Sequence, residues 1–71
     1  MTVCDLKSGE LRTVTRCTDR RLEGKLLCLG VKPGCPICVI RKTNFDRTFY
    51  IKAADNRIAI RYQEAATIEV A

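Results

Sequence analysis

The 71-residue chain has no histidine and no tryptophan, a single serine at Ser8, and only two Phe and two Tyr. Without imidazole it lacks the commonest general base and the usual activator of a Ser or Cys nucleophile. It also lacks the most frequent nitrogen ligand for transition metals. No apolar run approaches the roughly 18 residues that a membrane-spanning helix needs. The start, "MTVCDLKSGE", carries an acid early and no signal-peptide core, so the chain is expected to be cytoplasmic, with no direct membrane insertion. There is no glycine-rich phosphate loop, and the carboxylates Asp5, Glu10, Asp19, Glu23, Asp46, Asp55, Glu64 and Glu69 are scattered. These absences argue against an enzyme and against a small-molecule substrate. A chain of this length is read as one domain, 1–71, burying only about 60% of its unfolded surface, which suits binding or regulation better than a walled catalytic cleft.

What the chain does have is basic charge, 13 Lys and Arg against 8 Asp and Glu, for a net +5. The cations are spread along the sequence rather than massed in a block, the pattern of a solvated surface that can meet an acidic protein partner. Nucleic-acid barrels present solvent-facing aromatics on their strands; only Tyr50 and Tyr62 qualify here, which argues against nucleic acid.

The most informative stretch is "RLEGKLLCLGVKPGCPICVI", residues 21 to 40. Leu22, Leu26 and Leu29 recur at i, i+4 and i+7, placing them on one helical face that Leu27 widens. Gly24 weakens that helix by about 1 kcal/mol relative to alanine. Thr18 and Asp19 can cap its start, Gly30 can end it in the left-handed conformation, and Pro33 cannot continue it. Ile37 and Val39 then alternate with Pro36 and Cys38 in a strand spanning 35–42.

Elsewhere, residues 3 to 9 read as a lead-in that buries Leu6 and turns at Ser8-Gly9. "ELRTVTRC" is β-branched and unbroken, hence a strand anchored by Val14 and Cys17, whose three-residue spacing suggests a bulge or an early end. "TNFDR", 43–47, is an exposed loop. Strand three, 48–53, puts Phe49, Ile51 and Ala53 on one side; Asp55-Asn56 marks a hairpin; "RIAIRY" is strand four; a single turn around 64–66 leads to a closing strand with Ile68 and Val70. The expected core is Leu6, Val14, Leu22, Leu26, Leu29, Val31, Ile37, Val39, Ile51, Ile58, Ile60, Ile68 and Val70. Five short strands and one helix must curl, because a flat sheet this small would leave two open edges and a bare face. The fold class is therefore mainly β, a small five-stranded barrel with one covering α-helix.

With Leu6 and "SGE", then "RL", "LLCLGVKPG", an alternating strand, "IAIR" and "EAATIEV", the chain resembles the FeoA family of ferrous iron transport accessory proteins over essentially its whole length. The most recognisable matches are Leu29, Gly30, Pro33 and Gly34, then Ile60, Arg61, Glu64, Ala65, Ile68 and Val70. The resemblance implies an SH3-like barrel in the cytoplasm that binds the cytosolic portion of FeoB, a GTPase-coupled membrane iron transporter. The chain departs from the family in its loop residues Asp46, Arg47 and Thr48, at Asp55, and at Gly24 in the helix. The same module is similar to the C-terminal domain of iron-dependent repressors of the DtxR type, which keeps a metal-binding or regulatory module as an alternative, with a basic nucleic-acid-binding barrel as a third. The expected partner contacts are exposed Phe45 and Arg47 in the loop with Arg20, Arg21 and Lys25 on the helix.

The C-x-x-C of Cys35 and Cys38 is the metal candidate, because two thiolates so spaced can share Fe2+ or Zn2+, or else form a redox pair. It is half a site, since histidine and a second cysteine pair are missing, and no cofactor is required. Three-residue spacing along a straight strand also sends the two side chains to opposite faces. Cys17 reads as a small core hydrophobe, and Cys28 lies on the outer helix flank.

Overall fold

The computed structural model describes residues 1–43, 45 and 47–71. After a short 3-10 turn at Val3–Asp5, the elements are β1 (Leu11–Cys17), α1 (Arg20–Cys28), β2 (Pro36–Lys42), β3 (Thr48–Ala53), β4 (Asn56–Arg61), α2 (Tyr62–Ala65) and β5 (Ile68–Val70). The strands are antiparallel in the order β4-β3-β2-β1-β5.

The curl comes from β1. Its first residues, Leu11 to Thr13, pair with β2, whereas Val14 to Cys17 pair with β5, and the register shifts between Val14 and Arg16. A bulge lets one strand bend and serve two sheet directions, and of the two readings of the Val14/Cys17 spacing, a bulge or an early end, the strand shows the bulge. The N-terminal segment covers the far side of β5: Thr2 bridges Glu69, and the Val70 N–H donates to the Met1 carbonyl at 2.9 Å. α2 packs against β3, β4 and the 3-10 turn, filling the gap between the two ends of the sheet. The barrel is therefore closed by packing rather than by a β4–β5 ladder.

Helix α1 starts and stops as its sequence dictates. The Asp19 carboxylate accepts the Arg21 N–H at 2.8 Å. At the other end the Gly30 N–H donates to the Leu27 carbonyl and the Val31 N–H to the Leu26 carbonyl, the paired bonds of a Schellman motif, with Gly30 at φ +92°. Gly34 also has positive φ, +89°. Both glycines are thus backbone requirements, and at Gly30 a Cβ would also lie 2.6 Å from Asn56 Nδ2.

The core contains Leu6, Val14, Leu26, Val31, Ile37, Val39, Ile51, Ile60, Ile68 and Val70 as expected, with Val3, Cys35, Phe49, Ala53 and Ala65 added. Leu22, Leu29 and Ile58 are only partly buried and pack against its rim. One nine-residue helix laid over a strongly curved sheet fully buries a single residue, Leu26, in its last turn. The hairpin also differs from expectation. Ala53 pairs with Asn56, so the two-residue turn is Ala54-Asp55, and Ala54 takes the positive φ of 53°. Keeping Ile58 opposite Ile51 and Ile60 opposite Phe49 fixes the register and thereby the turn position.

α1 and α2 are tied by an ion pair, Lys25 Nζ to Glu64 Oε2 at 2.7 Å, while Glu64 Oε1 accepts the Arg61 N–H at 2.9 Å. The backbone donor first, and then the ammonium, hold the Glu64 carboxyl below the ordinary glutamate value.

Three outcomes test this architecture. Ile60, 2% exposed, should cost about 2–5 kcal/mol on truncation to alanine; a thermal melt close to wild type would refute the register. Gly30→Ala should destabilise by roughly 1–2 kcal/mol through its backbone angle, and adding Asn56→Ala should recover only the part due to crowding; full recovery in chemical denaturation would remove the backbone argument. Because the Glu64 carboxyl is lowered in the folded state, its contribution is present above the ordinary carboxylate value of about 4.3 and is lost as pH falls through the lower folded value. Glu64→Gln should therefore be less stable than wild type near neutrality and converge with it in acid, in melts followed across that range.

Candidate functional site

The loop after β2 is anchored at its far end. Arg47 adopts φ +54°, its carbonyl accepts the Tyr62 N–H at 2.9 Å, and its guanidinium lies 4.3 Å from the centroid of the Tyr62 ring. Tyr62 meets Phe49 edge to face at 6.0 Å and 71°. On the other side of Phe49, Lys42 Nζ sits 5.0 Å from the ring centroid and donates to the Cys4 carbonyl at 3.0 Å. Stacked cation–aromatic contacts of this kind hold long side chains in place at a surface that would otherwise leave them free. Thr43 and Thr48 close the loop base, with the Thr43 N–H donating to the Thr48 carbonyl at 2.9 Å. Phe45 is fully exposed between these anchors. Asn44 and Asp46, part of the predicted loop, lie outside the described residues.

On α1, Arg20 and Arg21 are exposed and make no ion pair among the described residues. They occupy the first turn, where the helix dipole disfavours cations, so helix stability does not account for them. Arg21 and Lys25 lie at i and i+4 and share a face. Lys25 is engaged by Glu64.

The arrangement brings one residue of each predicted group to α2, Lys25 bound to its Glu64 and Arg47 stacked on its Tyr62, while Arg20, Arg21 and Phe45 stand away from it. Sequence reasoning placed Arg47 and Lys25 on the surface but missed α2 as the joint between them. The signal was Tyr62, an aromatic directly after an alternating strand. Between Arg47, Arg61, Tyr62 and Gln63 lies a pocket of about 240 Å³. The site offers a protruding aromatic and cations held against aromatic rings, groups suited to contact with another surface.

Cys35 is buried, whereas Cys38 lies between inward-facing Ile37 and Val39 and is turned outward. The C-x-x-C is therefore split across the sheet, and among the described residues no group of three or more Cys, Asp or Glu is placed to hold a metal ion. Cys17 is half-buried, its thiol directed at the Asp19 carbonyl, and Cys28 is exposed. Burial pushes the Cys4 thiol up, away from the reactive thiolate form.

No curated protein matches the chain in sequence. Among solved structures, the FeoA protein of Chlorobium tepidum superposes with a TM-score of 0.89 at 24% identity, over 99% of this chain and 68% of that one. The zinc-complexed FeoA of Stenotrophomonas maltophilia, described as an SH3 domain protein, gives 0.85 at 21% identity, covering 100% and 89%. A manganese-dependent transcriptional repressor gives 0.89 at 15% identity, over 99% of this chain but only 40% of the repressor. The fold is thus SH3-like, with one module shared by free-standing proteins and a longer regulator. The FeoA domain model matches residues 1–71, end to end, and the chain belongs to the FeoA domain family.

Proposed function

We propose that this protein is an accessory and regulatory component of ferrous iron uptake, acting in the cytoplasm by binding the cytosolic portion of a FeoB-type GTPase-coupled iron permease. The observation that carries the reading is the family match over the entire chain, and it agrees with a surface built for contact rather than catalysis. Exposed Phe45 supplies the apolar anchor, and Arg47, Arg20 and Arg21 supply cations that make no ion pair among the described residues. Interfaces of this kind concentrate their energy in a few aromatic and Arg side chains. The Stenotrophomonas maltophilia relative, for which a role as a ferrous iron transport activating factor has been put forward, fits the same assignment.

The metal reading places Fe2+ or Zn2+ on the Cys35 and Cys38 thiolates. With one thiol buried and the other turned outward, such a site needs local opening or ligands from a second molecule, and binding by the isolated chain is weak. The repressor-type module has the shared fold in its favour.

Tagged protein incubated with detergent-solubilised membranes containing the permease should retain it. Phe45→Ala and Arg47→Ala should each weaken retention by about ten-fold, or roughly 1.4 kcal/mol, while Thr15→Ala, on the exposed face of β1, should not. Failure of the wild-type protein to retain the permease would overturn the reading.

A further inference from the structure

One edge of the sheet remains open. β5 is flanked by β1 on one side and by Met1 and Thr2 on the other. β4 pairs with β3 alone, and among the described residues none from Asn56 to Arg61 makes a backbone hydrogen bond outside that ladder and its own chain continuation. Apart from the Arg61 N–H, which donates to Glu64 Oε1, the outward-facing N–H and C=O groups of this edge have no backbone partner among the described residues and form a template for another strand.

Beside this edge is an open groove of about 550 Å³. Ile40, 44% exposed, and half-buried Ile58 give it apolar walls, and Arg41 and Arg57 stand at its sides. The Arg41 guanidinium lies 4.9 Å from the Tyr50 ring centroid, fixing one cation over an aromatic floor. Lys52 and Arg57 are directly opposite one another across the β3–β4 ladder. Like charges so placed oppose folding, and among the described residues no carboxylate relieves them: none of Arg41, Lys52 and Arg57 has an ion-pair partner there, nor does adjacent Asp55 supply one. Three uncompensated cations along an open edge give a face whose charge is balanced only by something from outside.

We infer that β4 and the Ile40–Tyr50 groove form a docking face for an acidic, extended segment of a partner protein, which adds as a strand to the β4 edge. Its backbone pairs with β4, alternate apolar side chains enter the groove beside Ile40 and Ile58, and its carboxylates meet Arg41, Lys52 and Arg57. The free strand edge and the apolar walls favour a polypeptide over a polynucleotide, which would neutralise the cations but leave the edge unpaired. This face shares no residue with the Phe45 and α1 surface, so it stands or falls independently of the permease assignment.

The test uses a fluorescein-labelled peptide of alternating Glu and Val, its counterpart of alternating Lys and Val, and a single-stranded oligothymidylate, each titrated into the full chain by fluorescence anisotropy. The acidic peptide should bind with a Kd on the order of 10–100 µM, more tightly than either control, and should slow amide exchange along β4. The Lys52→Glu/Arg57→Glu variant, shown by circular dichroism to remain folded, should lose about ten-fold for the acidic peptide and gain affinity for the basic one. No binding of the acidic peptide would mean that the edge cations serve only to keep strands apart. Equal binding of both peptides, tighter binding of the oligonucleotide, or acidic-peptide binding with unchanged β4 exchange would each overturn the proposal.

Discussion

The rest of the molecule depends on how the corner from Gly30 to Cys35 docks against Val14. The Val14 N–H donates to the Cys35 carbonyl at 2.9 Å, and its own carbonyl accepts the Gly34 N–H at 2.7 Å. Val14 is also where β1 leaves β2 for β5, paired there with Val70 and buried. One residue therefore joins the helix exit, the start of β2 and the closing strand. The corner can approach so closely because Gly30 and Gly34 reverse the chain at positive φ, which an L side chain would resist. With that contact in place, Leu26, Val31, Cys35 and Ile37 enter a single core with Ile68 and Val70.

A barrel this small has little interior to spare for polar groups, and none of its described buried residues is polar or charged. Chemistry is confined to the surface, where the charges divide into two sets. Glu10, Glu64 and Glu69 each neutralise one cation, Arg12, Lys25 and Arg16 respectively. Exposed pairs of this sort contribute little energy singly, but Lys25–Glu64 bridges α1 to α2 and so has a geometric role. Arg20, Arg21, Arg41, Lys52 and Arg57 have no such partner among the described residues.

α2 shows how one turn of helix can organise a site. Tyr62 and Glu64, two residues apart, hold a loop arginine and a helix lysine that are 22 positions apart in sequence. Phe49, buried in β3, supports Tyr62 from beneath, so the surface cluster is braced directly by the core.

Local pattern alone determined the helix and its ends, since an N-cap Asp19, an apolar stripe and Gly30 act over a few residues. It also determined most of the core and the strands, apart from Tyr62, which starts α2 rather than ending β4, because side-chain alternation declares which face is buried. The tertiary structure decided what depends on pairing between distant segments. The β3–β4 register moved the hairpin turn to Ala54-Asp55, against the stronger turn preference of Asp55-Asn56, because matching Ile58 to Ile51 and Ile60 to Phe49 outweighs a local turn propensity. The packing of the N-terminal segment onto β5 buried Val3 and left β4 as the open edge, which no periodicity could indicate. The joining of Arg47 and Lys25 through α2 was equally hidden, since ion pairs and ring stacking arise only once the curled sheet carries remote side chains to one place.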